Sequence, residues 1–238
     1  MSDSTEPARV LVISAHPDDV DFGAAGSIAV WTARNIDVTY CIVTDGAAGS
    51  TDPGIDAPAL RQIRQEEQRK AAAEVGVTDV HFLGYPDGAL QVSLELRRDI
   101  ARVIRTVRPE RVVCQSPERN WERIRASHPD HLAAGEATLQ AVYPDARNPY
   151  SYPELLAEGL EPHVVDEVWL MASPRAHLAV DITDTIGRKL AALHCHRSQL
   201  ADPGRLDEMI REWGGANAES HGLPAGRLAE SFQVVVTS

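Results

Sequence analysis

Short apolar runs alternate with segments of helical periodicity over the first three-fifths of the chain. The runs that we expect to form buried strands are 9–14, 38–44, 80–83 and 111–115. Helices are predicted over 22–34, 60–75, 94–107 and 131–142. Two more strands are predicted at 167–171 and 176–180, followed by a helix over 185–194. Continuous apolar strands separated by helices are typical of a parallel sheet that is covered on both faces.

This order predicts an α/β, Rossmann-like fold with a mainly parallel central sheet and helices on both faces. The chain has no internal repeat and no clear linker, so we expect one domain over 9–238 after a flexible N-terminal tail, 1–8. Three stretches lack periodicity and adjoin candidate site elements, and loops of that length are usually functional or mobile; they are 47–58, 116–127 and 143–163. Segment 201–226, rich in Gly, Pro and charge, is expected to be a lid, an oligomer contact or partly disordered.

The composition limits the kinds of partner that the chain is expected to bind. The chain has 238 residues, of which 43% are hydrophobic, enough for one large core. Its 23 basic and 35 acidic residues give a formal charge of −12 without any Lys/Arg cluster. We therefore expect neither a nucleic-acid partner nor an anionic membrane surface. Three scattered cysteines are too few for a disulfide framework or a four-thiolate zinc site.

The chain carries no sequence signal for a membrane or for export. Its first eight residues lack a basic region followed by an apolar one. No segment approaches the ~18 to 20 apolar residues of a membrane span. A cytoplasmic setting is therefore the expectation.

Two short motifs carry the candidate chemistry. Ala15-His16-Pro17-Asp18-Asp19 directly follows the first predicted strand, and His128-Pro129-Asp130-His131 precedes the fourth helix. Open α/β sheets bind ligands at the C-terminal ends of their strands, and residues three apart on one turn face the same way. Two His and one Asp form a normal ligand set for zinc with an open coordination position. The motifs predict a metal-dependent hydrolase.

These motifs resemble those of the LmbE-like, or PIG-L, family of zinc deacetylases. The similarity extends over about residues 9–200. It is carried by the two motifs with Gly23 and Gly26, by Thr44-Asp45-Gly46 with Gly49, by Arg64 to Glu67 with Gly76, by Leu83-Gly84 through Pro86-Asp87-Gly88, by Val180-Asp181-Ile182-Thr183 and by His196-Arg197-Ser198-Gln199.

The resemblance implies a single deacetylase domain in which His16, Asp19 and His131 bind Zn²⁺, or another divalent ion. It implies a small-molecule substrate, an N-acetylated amino sugar such as a glucosamine glycoside, or a related amide of thiol metabolism. It also implies assembly as a homotrimer or homohexamer.

The resemblance assigns the proton-transfer roles to three further residues. Asp18 is expected to be the general base and His128 the general acid, with Asp130 orienting or tuning His128. From the residues alone, other interpretations stay open: Asp18 as a helix cap, and His128 as a further metal ligand or a structural histidine.

Four residues are expected to contact substrate. For Arg64 the resemblance implies this role, whereas its sequence context equally suits an exposed helix charge paired with Glu67 or Gln68. The other three are Asp45, Asp87 and His196. Asp45 and Asp87 lie in ordinary turn sequences, and His196 also suits a structural or pocket-lining role.

The chain departs from the family pattern at two positions. Val20 and then Asp21 follow the paired aspartates where many relatives carry Glu, in a form that some relatives share. Ala126 stands where some relatives have a tyrosine that helps to hold the oxyanion, so zinc alone or another side chain must do so here.

Alternatives remain at this point. The first keeps the zinc chemistry but cleaves a larger amide, such as a thiol conjugate. The second is a metal-binding protein without turnover. The third is a nucleotide-binding protein with a phosphate loop at 46–49, although the chain lacks both Gly-x-Gly-x-x-Gly after its first strand and a Walker lysine.

Overall fold

A seven-stranded sheet forms the centre of the computed structural model, which describes residues 6–50, 54–200 and 202–238. Its strands are β1 (Arg9–Ser14), β2 (Asp37–Thr44), β3 (Asp79–Tyr85), β4 (Arg111–Gln115), β5 (Glu167–Met171), β6 (Leu178–Asp181) and β7 (Ala229–Val236). The strand order is β3-β2-β1-β4-β5-β7-β6. The first five are parallel, and β7 runs antiparallel to both β5 and β6.

Helices cover both faces of this sheet. They are α1 (Asp19–Gly23), α2 (Ala25–Ala33), α3 (Ala57–Glu74), α4 (Leu94–Val107), α5 (Pro129–Gln140), α6 (Pro153–Ala157), α7 (Ile186–His194) and α8 (Pro203–Ser220). Side chains alternate along β1, so Leu11 and Ile13 belong to the core beneath α4 and α5. Val10 and Val12 belong to the opposite core, beneath α2, α3 and α7.

The strand order reverses between β1 and β4. From β1 the chain builds outward to β2 and β3, and it then returns to place β4 on the other side of β1. Such a switch point leaves a crevice at the C-terminal ends of the two strands. Both motifs singled out in the sequence flank this crevice, because one follows β1 and the other follows β4.

The predicted α/β class is confirmed, and the six predicted strands and the helix over 94–107 are all present. The single helix predicted over 22–34 is wrong at its start. Two helices, α1 and α2, replace it, because Ala24 has a non-helical backbone with φ −144°. The aperiodic stretch 143–163 contains the short helix α6.

The C-terminal part of the chain is more regular than its sequence suggested. Segment 201–226 contains the 18-residue helix α8, whose Leu206 and Ile210 pack against α7, and the unpredicted strand β7 follows it. Five residues of the predicted N-terminal tail lie outside the described residues. Among the helices that are described, none combines the length and the apolarity needed to cross a membrane.

A glycine in α5 allows this helix to contact the end of β4. A Cβ at Gly135 would lie 2.2 Å from the carbonyl oxygen of Gln115, whereas a Cβ at Gly187 in α7 would meet nothing within 4 Å. We expect Gly135→Ala to lower the free energy of unfolding by about 1–3 kcal/mol, since the helix must move. The control Gly187→Ala should raise it by up to about 1 kcal/mol. Urea unfolding measures both, and an unchanged midpoint for Gly135→Ala would contradict this account.

Candidate active site

The two motifs meet at the crevice between β1 and β4. The N–H of Ala15 donates to Gln115 Oε1 at 2.9 Å and so joins the end of one strand to the end of the other. His128 is the N-cap residue of α5, which places His131 in the first turn of that helix. The ring centroids of His16, His128 and His131 lie 5.0–5.3 Å apart. Residues more than a hundred positions apart in sequence therefore share one site.

Asp19 bridges the two turns. Its Oδ2 accepts a hydrogen bond from the His16 N–H at 2.7 Å and lies 3.2 Å from His16 Nδ1. Its Oδ1 lies 3.0 Å from His131 Nε2. The Nδ1 of His131 donates to the Ala126 carbonyl at 3.3 Å, and because a carbonyl only accepts, neutral His131 presents the lone pair of Nε2 to the site. The three proposed ligands thus converge with donor atoms facing one another.

Two more carboxylates approach the other side of the His16 ring. His16 Nε2 lies 3.1 Å from Asp87 Oδ1 and 3.2 Å from Asp130 Oδ2. In the described part of the chain, two groups of donor atoms lie within 4.8 Å of one another: His16 with His128 and His131, and His16 with Asp87 and Asp130. Imidazole and carboxylate are the donors that zinc prefers alongside thiolate. The donor set fits a divalent metal ion.

The charges of the site favour a cation. Burial alone would lower the pKa of His16, but hydrogen bonds and charge from Asp19 and Asp87 raise it to about 11. Burial alone would raise the pKa of Asp19, but the charges and hydrogen bonds of His131 and His16 hold it well below its usual range. Asp19 therefore stays ionised beside a buried imidazole, an arrangement that favours positive charge at this position.

The carboxylate of Asp130, which is expected to orient or tune His128, makes its hydrogen bonds to other groups. This buried carboxylate accepts hydrogen bonds from the N–H groups of Gly88 at 2.7 Å and Leu90 at 3.2 Å, besides contacting His16. Only the backbone N–H of Asp130 reaches His128, donating to Nδ1 at 3.2 Å. The carboxylate therefore fixes His16 and the loop after β3, and it acts on His128 through its charge alone.

Asp18 has a strained backbone that its neighbours hold in place. Its φ is +92°, a value that residues other than glycine rarely adopt. Its N–H donates to Gln68 Oε1 at 2.8 Å, while Arg64 donates to Asp18 Oδ2 at 3.2 Å and to the Pro17 carbonyl at 2.7 Å. Its side chain caps no N–H of α1, so the helix-cap interpretation is wrong. Burial and the charge of Asp19 raise the pKa of Asp18 to about 6, against the lowering effect of Arg64.

A series of buried side-chain hydrogen bonds supports Asp18. Gln68 Nε2 donates to Asp21 Oδ2 at 2.9 Å, and His196 Nε2 lies 2.8 Å from the same oxygen. His196 is only 1% exposed, so the expected contact between His196 and substrate is not available in this structure. The histidine instead supports Asp21, which holds Gln68, which in turn holds the backbone of Asp18.

Arg64 is buried in the site, so the interpretation as an exposed helix charge is wrong. It is 3% exposed and donates to the Gly46 carbonyl at 2.9 Å as well as to Pro17 and Asp18. Glu67, its suggested partner, instead accepts two hydrogen bonds from Ser198. Arg64 therefore joins the loop after β2 to the turn that carries Asp18.

The loop after β2 is held by two carboxylates, Asp45 and Asp87. Asp45 forms an ion pair with Arg61 and accepts from the Ala47 N–H at 3.0 Å, and Asp87 accepts from the Ala48 N–H at 3.1 Å. These amides are the donors that a phosphate loop would need to leave free. The proposed phosphate loop at 46–49 is therefore committed to contacts within the protein.

Sequence reasoning missed three residues that organise the site: Gln68, Gln115 and Asp21. Gln115 is a polar residue at the C-terminal end of an otherwise apolar strand, which is a usable signal. Gln68 lies four residues after Arg64 and therefore on the same helix face. Asp21 lies on a helix turn beside Asp18, but its partners are far away in sequence.

Comparisons with known proteins point to one family of enzymes. The profile of the PIG-L family, described as GlcNAc-PI de-N-acetylase, matches residues 11–142. The chain is 35% identical over 228 residues to a diacetylchitobiose deacetylase of Thermococcus kodakarensis, covering 95% of this chain and 83% of the relative. It is 31% identical to a probable N-acetyl-α-D-glucosaminyl L-malate deacetylase 2 of Bacillus anthracis, covering 86% of each. The solved N,N′-diacetylchitobiose deacetylase of Pyrococcus horikoshii superimposes with a TM-score of 0.89 at 30% identity, covering 97% of this chain and 85% of that one.

The two histidines that flank Cys195 allow a matched test of burial. His196→Ala leaves the buried Asp21 carboxylate without one of its donors, so we expect it to lower the free energy of unfolding by about 3 kcal/mol. His194→Ala removes a half-exposed pair with Asp207 and should cost less than about 1 kcal/mol. Denaturant unfolding of both variants measures the difference. Equal destabilisation would show that the His196 contact adds nothing to stability.

Proposed function

The chain belongs to the PIG-L (GlcNAc-PI de-N-acetylase) family, and on this premise we propose that it is a metal-dependent hydrolase that removes the acetyl group from an N-acetylglucosamine-type conjugate. The observation that carries the proposal is the convergence of the His16–Asp19 turn and the His128–His131 turn at the switch point of the sheet. The substrate class follows from relatives named as deacetylases of diacetylchitobiose and of N-acetyl-α-D-glucosaminyl L-malate.

The proposed metal ligands are His16, Asp19 and His131, and the proposed ion is Zn²⁺. An ion in such an open site polarises an amide carbonyl and makes water easier to deprotonate. His128 is less suited to be a ligand, because its Nδ1 accepts the Asp130 N–H and a neutral ring then carries its proton on Nε2. We therefore keep His128 outside the ligand set.

Asp18 is proposed to take the proton from the attacking water. Asp18 directly precedes the proposed ligand Asp19 in the sequence. Its strained backbone is held by Gln68, and its carboxylate is held by Arg64. A base held this firmly needs little reorganisation when the water oxygen attacks the amide carbon. Arg64 also limits the excess of negative charge around Asp18 and Asp19.

His128 is proposed to deliver the proton that the leaving amine requires. An amine leaves poorly from the tetrahedral carbon unless its nitrogen is protonated. The donor must be the imidazolium form of His128, because a neutral imidazole does not give up its remaining proton to an amine; the Asp130 N–H bonds to Nδ1 when the ring is neutral again. Burial and the charges of His16 and His131 lower the pKa of His128 and so make its imidazolium a stronger acid. As the C–N bond breaks, the nitrogen takes the imidazolium proton and the acyl group leaves as a carboxylate.

Substrate hydroxyl groups are proposed to bind on the polar side of the site, formed by Arg64, Asp45, Asp87 and the loop after β2. These side chains are charged, and each is already oriented by backbone hydrogen bonds. Oriented polar groups of this kind recognise a sugar without having to rearrange.

Replacing the proposed base should separate chemistry from metal binding. We expect Asp18→Asn to keep its metal content and to lose amine release by about 10²–10⁴-fold, because the water loses its proton acceptor. The measurement combines elemental analysis with an amine-release assay over a panel of N-acetylglucosamine conjugates. Asp79→Asn, at an exposed position on β3, is the control. A full rate in Asp18→Asn would remove Asp18 as the base.

The two histidines of the second turn should respond differently. His131→Ala is expected to lose metal affinity, whereas His128→Ala keeps the metal and mainly lowers kcat. Removing the metal with a chelator should abolish amine release, and added Zn²⁺ should restore it. Equal loss of metal in both variants would make His128 a ligand. Stoichiometric metal without amine release from any conjugate would favour a metal-binding protein without turnover.

A further inference from the structure

A cavity of about 170 Å³ opens beside the proposed metal ligands, between the sheet and α8. Asp19 and His131 form its wall on the side of the catalytic residues. The rest of the lining is mixed, and its large apolar side chains are Phe22, Met171, Ile182, Ile210 and Trp213. The cavity therefore continues directly from the place where the amide must react.

Three of the polar residues that line this cavity are engaged with the protein, whereas Arg123 lies exposed with its guanidinium over the Trp213 ring. Glu230 accepts hydrogen bonds from two amides at the start of α2 and forms a buried ion pair with Lys189. Lys189 also donates to the Phe22 carbonyl at 2.6 Å, and Asn217 donates to the Ala229 carbonyl at 3.2 Å. Most of these polar groups are therefore paired within the protein, and the apolar side chains between them offer contacts to an apolar group.

The active site is thus polar on one side of the metal ligands and apolar on the other. Arg64, Asp45 and Asp87 lie on the side of β2 and β3, and the cavity lies on the side of β5, β7 and α8. An N-acyl amino sugar is divided in the same way at its amide, with a hydroxyl-rich sugar on nitrogen and an apolar chain on the carbonyl carbon. The two polarities match in one orientation only.

We propose that this cavity holds the acyl chain of the substrate, and that the enzyme hydrolyses N-acyl amino sugars whose chains are longer than acetyl. The inference rests on the proposed function. A cavity of about 150 Å³ accommodates a benzene ring, so about 170 Å³ has room for roughly six carbons, of which acetyl would use few. Water adds to the acyl carbon, the C–N bond breaks, the chain leaves as a carboxylate and the amine retains the sugar.

The first test uses the wild-type enzyme and glucosamine carrying acetyl, butanoyl, hexanoyl or dodecanoyl groups. Amine release should give a kcat/KM that rises about threefold per added methylene up to hexanoyl and falls for dodecanoyl, which exceeds the cavity. Inhibition by the free carboxylates, a readout of binding, should be at least tenfold stronger for hexanoate than for acetate.

Two substitutions test the wall of the cavity. Trp213→Ala removes a half-exposed wall residue, and Ile210→Ala shortens a wall residue that also packs against α7, so its urea midpoint is measured beside its activity; each should lower the hexanoyl-to-acetyl ratio of kcat/KM at least fivefold while acetyl is still hydrolysed. Trp121→Ala is the matched control, because this exposed tryptophan lies outside the lining of the cavity and should leave the ratio unchanged.

The outcomes distinguish the two proposals. Hydrolysis of the acetyl substrate with hexanoyl tenfold or more slower would overturn the acyl cavity and leave the deacetylase proposal standing. An unchanged ratio in both wall variants would also overturn the acyl cavity. No amine release from any substrate, with metal bound, would overturn the proposed function and this inference together.

Discussion

Three carboxylates crowd around one buried imidazole. Asp19, Asp87 and Asp130 come from three separate segments, and each lies within 3.2 Å of a ring nitrogen of His16. Buried like charges repel one another unless a cation compensates them, so this end of the sheet depends on positive charge at its centre. Without a bound ion, a proton on His16 supplies part of that charge; a divalent ion bound by His16 would replace this proton and supply more. Metal binding and the order of these three segments are therefore coupled, because both depend on positive charge among the carboxylates.

The backbone conformation of Asp18 likewise depends on contacts from other segments, in this case hydrogen bonds. Its left-handed backbone costs free energy that the surrounding structure must offset. Gln68 does so on one side and Arg64 on the other, and Gln68 is itself held by the Asp21–His196 pair. His196, in the turn after α7, therefore acts on the proposed base Asp18 through the buried side chains of Asp21 and Gln68.

The parts of the molecule that could be predicted are those with a local cause. Continuous apolar runs predicted six strands, and the three-residue spacing in two motifs predicted that the His16–Asp19 turn and the His128–His131 turn meet. The parts that could not be predicted depend on distant partners. His196 pairs with Asp21, 175 positions away, so its burial has no signature in the local sequence.

Helix α8 and the contacts of Asp130 could not be predicted for a similar reason. A segment with Gly214 and Gly215 has weak helical preference, and α8 forms because Leu206 and Ile210 pack against α7. The identity of the groups that Asp130 contacts depends on where the loop after β3 crosses α5, and this follows from the sheet order rather than from the motif.

The position of β7 separates the wall of the cavity from the proposed metal ligands. This strand lies between β5 and β6, where Glu230 caps the start of α2 and α8 is brought over the end of β5. The proposed ligands, by contrast, are carried by the segments after β1 and at the start of α5. Substitutions on the inner face of α8 therefore alter the cavity wall without displacing the ligands. The proposed chemistry and the proposed acyl selectivity thus reside on separate segments, which meet at Asp19 and His131.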